Sequence, residues 1–373
     1  VKILIAGGGT GGHLFSGVAV AEELRARGHE VLFVGTARGI EAKVCPKEGW
    51  RLELIDVGGL KGAGALGIVK GLFRVPRAIA QSRRIVKRER PDLVLGVGGY
   101  ASGPVVLAAW MRGLPTAIIE QNSVPGFTNR VLGKLVRAVF GAFTTARGYF
   151  PSSKYHLVGN PIRARVRAVL ERASAAAGAE ARPSGLLVVG GSQGAHAVNE
   201  LVCEAMAILK ARGITPPLIH QTGEADRAPI AERYATAGVS ADVRAFIDDM
   251  GAAYRAARLV VARAGASTLA ELTAIGLPSI LIPFPHAADD HQTVNARELE
   301  AAGAARVAIQ KETTPQALAD LLASLWSDDE ALAKMAAAAR AQAHPDAHAT
   351  VTDAILALAQ RAPIRLPESG ASV

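Results

Sequence analysis

Directly after an apolar opening, the chain reads Gly7-Gly8-Gly9-Thr10-Gly11-Gly12-His13, a stretch of nearly bare backbone that ends in an ionisable ring. A glycine cluster between a strand and a helix lets main-chain N–H groups approach an anion, and the helix start adds partial positive charge. Two further loops share this character: Gly98-Gly99-Tyr100-Ala101-Ser102-Gly103-Pro104, and Gly190-Gly191-Ser192-Gln193-Gly194, which adds a hydroxyl and an amide. Three such loops imply more than one phosphate group. His13 beside the first loop has the chemistry of a general base toward a hydroxyl, against the plainer reading of a capping or packing histidine. Glu120, at a strand end beside Gln121 and Asn122, is the rival: it either takes the proton itself or orients another group.

Other residues narrow the chemistry. Gly7-x-Gly9-x-x-Gly12 matches the dinucleotide fingerprint in form, but the second strand ends in Gly35 and Thr36 where that fingerprint expects a ribose-binding acid. Gly12 is followed by His13 and Leu14, so the phosphate-loop pattern of nucleotide hydrolases fails as well. Glu271 is expected in the first turn of a helix, where a carboxylate suits the dipole; it lies one position too late for a capping box with Ser267, and a bidentate acid for adjacent hydroxyls is the better reading. In His286-Ala287-Ala288-Asp289-Asp290-His291-Gln292, the two histidines stand five apart, off a common helix face, so no bound metal is expected.

These residues need a scaffold. Short apolar runs (VKILIA, EVLFVG, LVLGVG, TAIIEQ and one near AFTTA) alternate with helical stretches, which predicts a parallel α/β sheet; the pattern restarts at GLLVVGG and continues through PLIHQTG, VRAFI, RLVVA and SILIPFP. Two doubly wound domains are therefore expected, 1–162 and 163–345, hinged at Asn160-Pro161, with a helix over 346–362 crossing back onto the first. A chain of 373 residues suits two domains of ordinary size. No apolar run reaches the roughly 18 to 20 residues of a membrane span, and mean hydropathy is +0.22. The opening strand lacks the pattern of an export signal, so a cytoplasmic location is expected. Cys45 and Cys203, far apart in sequence, read as buried inert thiols.

Taken together and in order, GGGTGGH, GGYASGP, EQNSVPGFTN, GNPIR, GGSQGA, FIDDM, RAGASTLAEL and PFPHAADDHQTVNA resemble the MurG family, bacterial UDP-N-acetylglucosamine transferases that convert lipid I to lipid II in peptidoglycan synthesis. The resemblance runs from Val1 to about Ala362 and implies the GT-B fold, two Rossmann-like domains with the active site in the cleft between them. It implies donor contacts at Thr10, Gly11, Gly12, Asn122, Arg163, Ser192, Ile247, at Ala266, Ser267, Thr268, Leu269 and Ala270, and at Glu271 (ribose) and Gln292. Gly98, Gly99, Tyr100 and Ser102 are expected at the acceptor, and His13 or Glu120 as base. Many members read Arg-Ser-Gly-Ala where this chain has Arg263-Ala264-Gly265-Ala266, so only backbone contacts carry over there. The implied partners are UDP-GlcNAc, lipid I and the cell-wall and division machinery, with no cofactor.

Charge supports a membrane-facing first half. Through Asn160 there are 22 Lys+Arg against 10 Asp+Glu, and beyond it 20 against 23. Within residues 60–90, Ile68, Leu72, Phe73 and Val75 stand among basic residues, which predicts shallow insertion at an anionic surface on the cytoplasmic face; an ordinary amphipathic core helix is the alternative. Nucleic acid is not expected, since aromatics are only 5% and no binding motif is present. The competing classes are a transferase with another lipid acceptor, a Rossmann oxidoreductase, and a non-catalytic nucleotide-binding protein at a membrane surface.

Overall fold

The computed structural model describes residues 1–57, 65–176, 184–191 and 194–366, with side chains described except at 65–74, 170 and 172–176. The chain forms two units, Val1–Ala164 together with His344–Val373, and Arg165–Ala343.

The first unit carries seven parallel strands: β1 (Lys2–Ala6), β2 (Glu30–Gly35), β3 (Arg51–Leu54), β4 (Leu93–Gly96), β5 (Thr116–Glu120), β6 (Ala138–Gly141) and β7 (Tyr155–Leu157), in the order β3-β2-β1-β4-β5-β6-β7. Its strands are apolar without alternation because both faces are covered. Ile3, Ile5, Phe33 and Leu95 face one core, while Leu4, Ala6, Leu32 and Val94 face the other. Helix Gly11–Ala26 fills the first core with Leu14, Val18 and Ala21, joined there by Val351, Ala354, Ile355 and Leu358 of helix Ala347–Ala359. An Arg27–Asp353 ion pair links the C-cap of the first of these helices to the middle of the second.

The second unit repeats the design with six parallel strands: β8 (Gly185–Val189), β9 (Leu218–Gln221), β10 (Asp242–Arg244), β11 (Ala257–Ala262), β12 (Ser279–Leu281) and β13 (Ala305–Val307), ordered β10-β9-β8-β11-β12-β13. In each sheet the winding reverses once, between β1 and β4 and between β8 and β11. Open α/β sheets bind ligands beyond the strand ends at such a switch point. The three glycine loops follow β1, β4 and β8, at these two places.

Some expectations shift. The strand expected near AFTTA is β6, just before it, and Thr144–Tyr149 is a 3-10 turn. VRAFI stops being strand at Arg244. Both thiols are buried, and burial pushes Cys45 up to about 12 and raises Cys203. Among the described residues no helix is long and apolar enough to cross a membrane.

Candidate functional site

At the switch point of the first unit, two glycine loops interlock through backbone. Gly8 N–H donates to the Gly98 carbonyl at 3.2 Å, and a Cβ on Gly7 would fall 2.4 Å from that same oxygen. A Cβ on Gly99 would lie 2.1 Å from the Gly8 carbonyl oxygen. Gly7, Gly8, Gly98 and Gly99 are thus packing glycines, which corrects the view of the whole run as an anion cradle. Gly9 and Gly12 differ, since a Cβ at either would meet nothing within 4 Å.

Thr10 is the N-cap of helix Gly11–Ala26, yet its hydroxyl caps no backbone N–H. Instead Thr10 Oγ1 lies 3.1 Å from His13 Nδ1. The ring lies on the second loop, with Cδ2 placed 2.7 Å from where a Gly98 Cβ would be. Thr10, His13 and the Gly98 turn are therefore brought together, and Tyr100 is half exposed beside them. Ser102 departs from the acceptor expectation: its hydroxyl is fully buried, turned back against β4 with no hydrogen-bond partner among the described residues, and a Cβ on Gly96 would meet it at 2.5 Å.

Glu120 is 2% exposed. Its Oε1 accepts the Asn122 N–H at 3.0 Å, and its Oε2 accepts from Asn129 Nδ2 at 2.8 Å. Burial raises the carboxyl to about 7, against these hydrogen bonds and another from the Gly126 backbone, which favour the charged form. Glu120 thereby ties down the loop that carries Asn122. Arg163 also belongs to this unit: its guanidinium carbon sits 3.7 Å from the Phe15 ring centroid, and Nη1 is 3.8 Å from Glu48 Oε1.

The second unit gathers the remaining donor candidates at the strand ends. Helix Ala266–Ile275 starts immediately after β11, with Gly265 as N-cap, so Ala266, Ser267, Thr268, Leu269 and Ala270 form its opening turns. Glu271 is then the sixth helical residue, beyond the first turn where it was expected, and the dipole gives little account of it. Its Oε2 accepts from the Tyr254 hydroxyl at 2.8 Å. Tyr254 is 2% exposed, and burial, with the Glu271 carboxylate beside it, holds its pKa well above the usual value, keeping it a donor. Tyr254 sits on helix Met250–Ala256, which the loop carrying Ile247 leads into, so Glu271 and that loop are fixed to one another. The Ile247 side chain is buried, leaving backbone for any contact, whereas neighbouring Phe246 is 59% exposed.

Gln292 folds the loop after β12, since its Oε1 accepts the Phe284 N–H at 3.0 Å. Arg263 clamps the same loop by donating to the Ile282 and Pro283 carbonyls at 3.1 and 2.9 Å, and burial lowers it to about 10. Ala264 is fully buried between these elements. In the third glycine loop, Gly191 and Gly194 have φ of 90° and 77°, and Gln221 Nε2 donates to the Gly191 carbonyl at 2.9 Å. Ser192 lies outside the described residues, as do the side chains of Ile68, Leu72 and Phe73; Val75 is exposed. Among the described residues no group of three or more His, Cys, Asp and Glu is placed to hold a metal ion.

Sequence reasoning missed Tyr254 and Phe246. Phe246 opens FIDDM itself and Tyr254 stands four residues beyond it, with no spacing rule attached to either.

Residues 3–141 match the glycosyltransferase family 28 N-terminal domain and residues 185–351 the corresponding C-terminal domain. A protein of Myxococcus xanthus (strain DK1622) named UDP-N-acetylglucosamine--N-acetylmuramyl-(pentapeptide) pyrophosphoryl-undecaprenol N-acetylglucosamine transferase is 52% identical over 355 residues, 95% of this chain and 92% of the relative. A protein of Anaeromyxobacter sp. (strain Fw109-5) with the same name is 50% identical over 363 residues, 97% and 94% of the two chains. The crystal structure of Acinetobacter baumannii MurG superposes with a TM-score of 0.80 at 34% identity, covering 95% of this chain and 99% of that one.

Proposed function

The chain belongs to glycosyltransferase family 28, and from that premise we propose that it catalyses the reaction its relatives are named for. It is a hexosyltransferase that moves GlcNAc from UDP-GlcNAc to the MurNAc of undecaprenyl-pyrophosphoryl-MurNAc-pentapeptide, lipid I, giving lipid II. The observation that carries this reading is identity of about half the residues, over nearly the whole chain, with relatives of that name. The acceptor C4 hydroxyl attacks the anomeric carbon, UDP leaves, and the configuration inverts to a β-1,4 link.

The second unit supports the donor end of the reaction. Glu271 offers two carboxylate oxygens to adjacent ribose hydroxyls and is held for that task by Tyr254. The backbone around Ile247 faces the uracil, with Phe246 exposed beside it, and Gly191 and the start of helix Ala266–Ile275 lie toward the diphosphate. Gln292 shapes the loop beside the donor sugar.

The first unit supports the acceptor end. His13 is the base, its ring held on the second loop with Nδ1 3.1 Å from Thr10 Oγ1, and it takes the acceptor proton. The backbone of Gly98 and Gly99, with Tyr100, receives the acceptor. Glu120 acts through Asn122, which it positions toward the sugar, and not by proton transfer. Arg163 steadies the start of helix Gly11–Ala26 through Phe15 while adding positive charge near the departing diphosphate. Charge stabilisation and positioning supply most of the rate.

Peripheral binding at the cytoplasmic face of the membrane, where the cell-wall and division machinery assembles, fits the basic first half. Val75 on helix Ala65–Glu89 is exposed, and so are Trp110 and Met111 at the end of the adjoining helix Ser102–Trp110, with Arg77 and Arg112 exposed beside them in sequence. The test is UDP release from UDP-GlcNAc with a short-chain lipid I analogue, against the same polyprenyl pyrophosphate lacking MurNAc. Release only with the complete acceptor supports the reading, and release indifferent to MurNAc refutes it.

A further inference from the structure

The first glycine loop already holds an anion, and it is the protein's own. Glu41, the first residue of helix Glu41–Lys47, is 1% exposed, and its carboxylate turns inward beneath the loop. Oε2 accepts the Gly9 N–H at 2.8 Å; Oε1 accepts the Thr36 N–H at 2.8 Å and the Thr36 hydroxyl at 3.0 Å. All three contacts are donors, matched to an acceptor-only group. Three glycines make room for it. A Cβ on Gly8, Gly35 or Gly39 would come within 2.1, 2.3 and 2.1 Å of Glu41 side-chain atoms. Gly35 and Gly39 do not have positive φ, so their lack of a side chain is explained by this carboxylate and not by backbone shape.

We propose that Glu41 is a positioning residue for transfer: it fills the cradle where a dinucleotide-binding loop would take its pyrophosphate, and fixes the Gly7–Gly12 loop in the form that presents Thr10 and His13. In dinucleotide folds the acid ends the second strand and reaches out to a ribose, while the loop N–H groups take the phosphates. Here the acid comes from the next helix and reaches in. The N–H groups of Gly7, Gly8 and Gly9 are then all used inside the protein, by the Val34 carbonyl, the Gly98 carbonyl and Glu41. An anionic substrate meets this loop from Thr10 onward, beside His13, and the charge behind Gly9 repels a phosphate placed any deeper. The inference deepens the functional reading above and rests on its assignment of His13.

The experiment is chemical rescue of Glu41→Ala by formate. Misplacing the loop by a fraction of an ångström to an ångström lowers kcat about 10- to 100-fold. Affinity for UDP, whose ribose and uracil contacts are assigned to the second unit, stays as in the parent chain. Added formate, entering the vacated cradle, restores turnover. Gly39→Ala lowers turnover in the parent chain and costs nothing further in Glu41→Ala, because the methyl then occupies the space the carboxylate left. Full turnover by Glu41→Ala overturns the proposal, and so does a loss that formate leaves unchanged while Gly39→Ala adds to it independently. Should Glu41→Ala not fold, the volume-conserving Glu41→Gln is read for the same fall in kcat at constant UDP affinity, and parental turnover overturns the proposal. If the parent chain itself transfers no GlcNAc, the functional reading fails alone. Glu41 is then judged by the Gly9 and Thr36 amide resonances of Glu41→Ala: formate shifts them if the cradle exists and leaves them in place if it does not.

Discussion

Replacing Glu271 separates the donor site from everything else in the chain. Its Oε2 accepts from the Tyr254 hydroxyl at 2.8 Å, and the same carboxylate is the group proposed to meet the ribose hydroxyls. A charge-assisted hydrogen bond contributes about 1.5 to 3 kcal/mol, so Glu271→Ala should weaken UDP binding by about 10- to 150-fold. That substitution also leaves the buried Tyr254 hydroxyl without its partner, at a cost of about 1 to 3 kcal/mol in stability. Glu271→Gln avoids this, because its amide oxygen still accepts from Tyr254 while offering the ribose a neutral acceptor; about half the binding effect should remain. Tyr254→Phe keeps the carboxylate and loses its anchor, and about 0.5 to 1.5 kcal/mol, or 2- to 12-fold, is expected. Because the two side chains act as one unit, the double substitution should cost less than the sum of the singles. Calorimetric titration with UDP, alongside thermal unfolding of each variant, measures all of this. Folded Glu271→Ala and Glu271→Gln that bind UDP as tightly as the parent chain would refute the ribose assignment.

His13→Ala should lower kcat by about 100-fold or more with UDP affinity unchanged; near-parental turnover in a steady-state assay would remove His13 as base and return Glu120 to that role. Glu120 also makes a stability prediction: its folded carboxyl is raised to about 7 from an ordinary 4.5, so its stabilising contribution is complete below about pH 4.5 and is lost as the pH rises through about 7. Urea unfolding from pH 4.5 to 8 should show a decline of up to about 3 kcal/mol that Glu120→Gln abolishes, and an equal decline in that variant would count against the burial argument. Val75→Asp with Met111→Asp, both at exposed positions, should leave UDP binding intact and reduce sedimentation with anionic vesicles by roughly 100-fold, since covering two such side chains contributes up to about 3 kcal/mol. A folded double variant that still sediments would put the membrane face elsewhere.

The parallel sheets were legible because strands covered on both faces leave continuous apolar runs, as in VKILIA and RLVVA. β3 left no such run: as an edge strand it exposes Arg51 and Leu54 and half-covers Leu52 and Glu53. β13, three residues long with Arg306 exposed, was equally quiet. VRAFI looked longer than β10 because Phe246 is apolar, although it is mostly exposed. The glycine loops could be found from composition, but not how their glycines divide. Whether a missing Cβ leaves open space, as at Gly12, or makes room for a neighbouring carbonyl, as at Gly7, depends on a loop some ninety residues away in sequence. Glu41 was overlooked for a related reason: an acid at a helix start has an ordinary explanation in the dipole, and only the three-dimensional approach of Gly8, Gly35 and Gly39 reveals what it fills. Ser102 misled in the opposite direction, its hydroxyl buried where the motif alone put it at the acceptor.

The most direct test of the whole account is to incubate the chain with UDP-GlcNAc labelled in the sugar and a soluble lipid I analogue, and to determine the linkage in the isolated product by NMR. Labelled GlcNAc joined β-1,4 to MurNAc is expected, with one UDP released per sugar transferred. Hydrolysis of UDP-GlcNAc without transfer, an α-linked product, or attachment at a position other than C4 would contradict it.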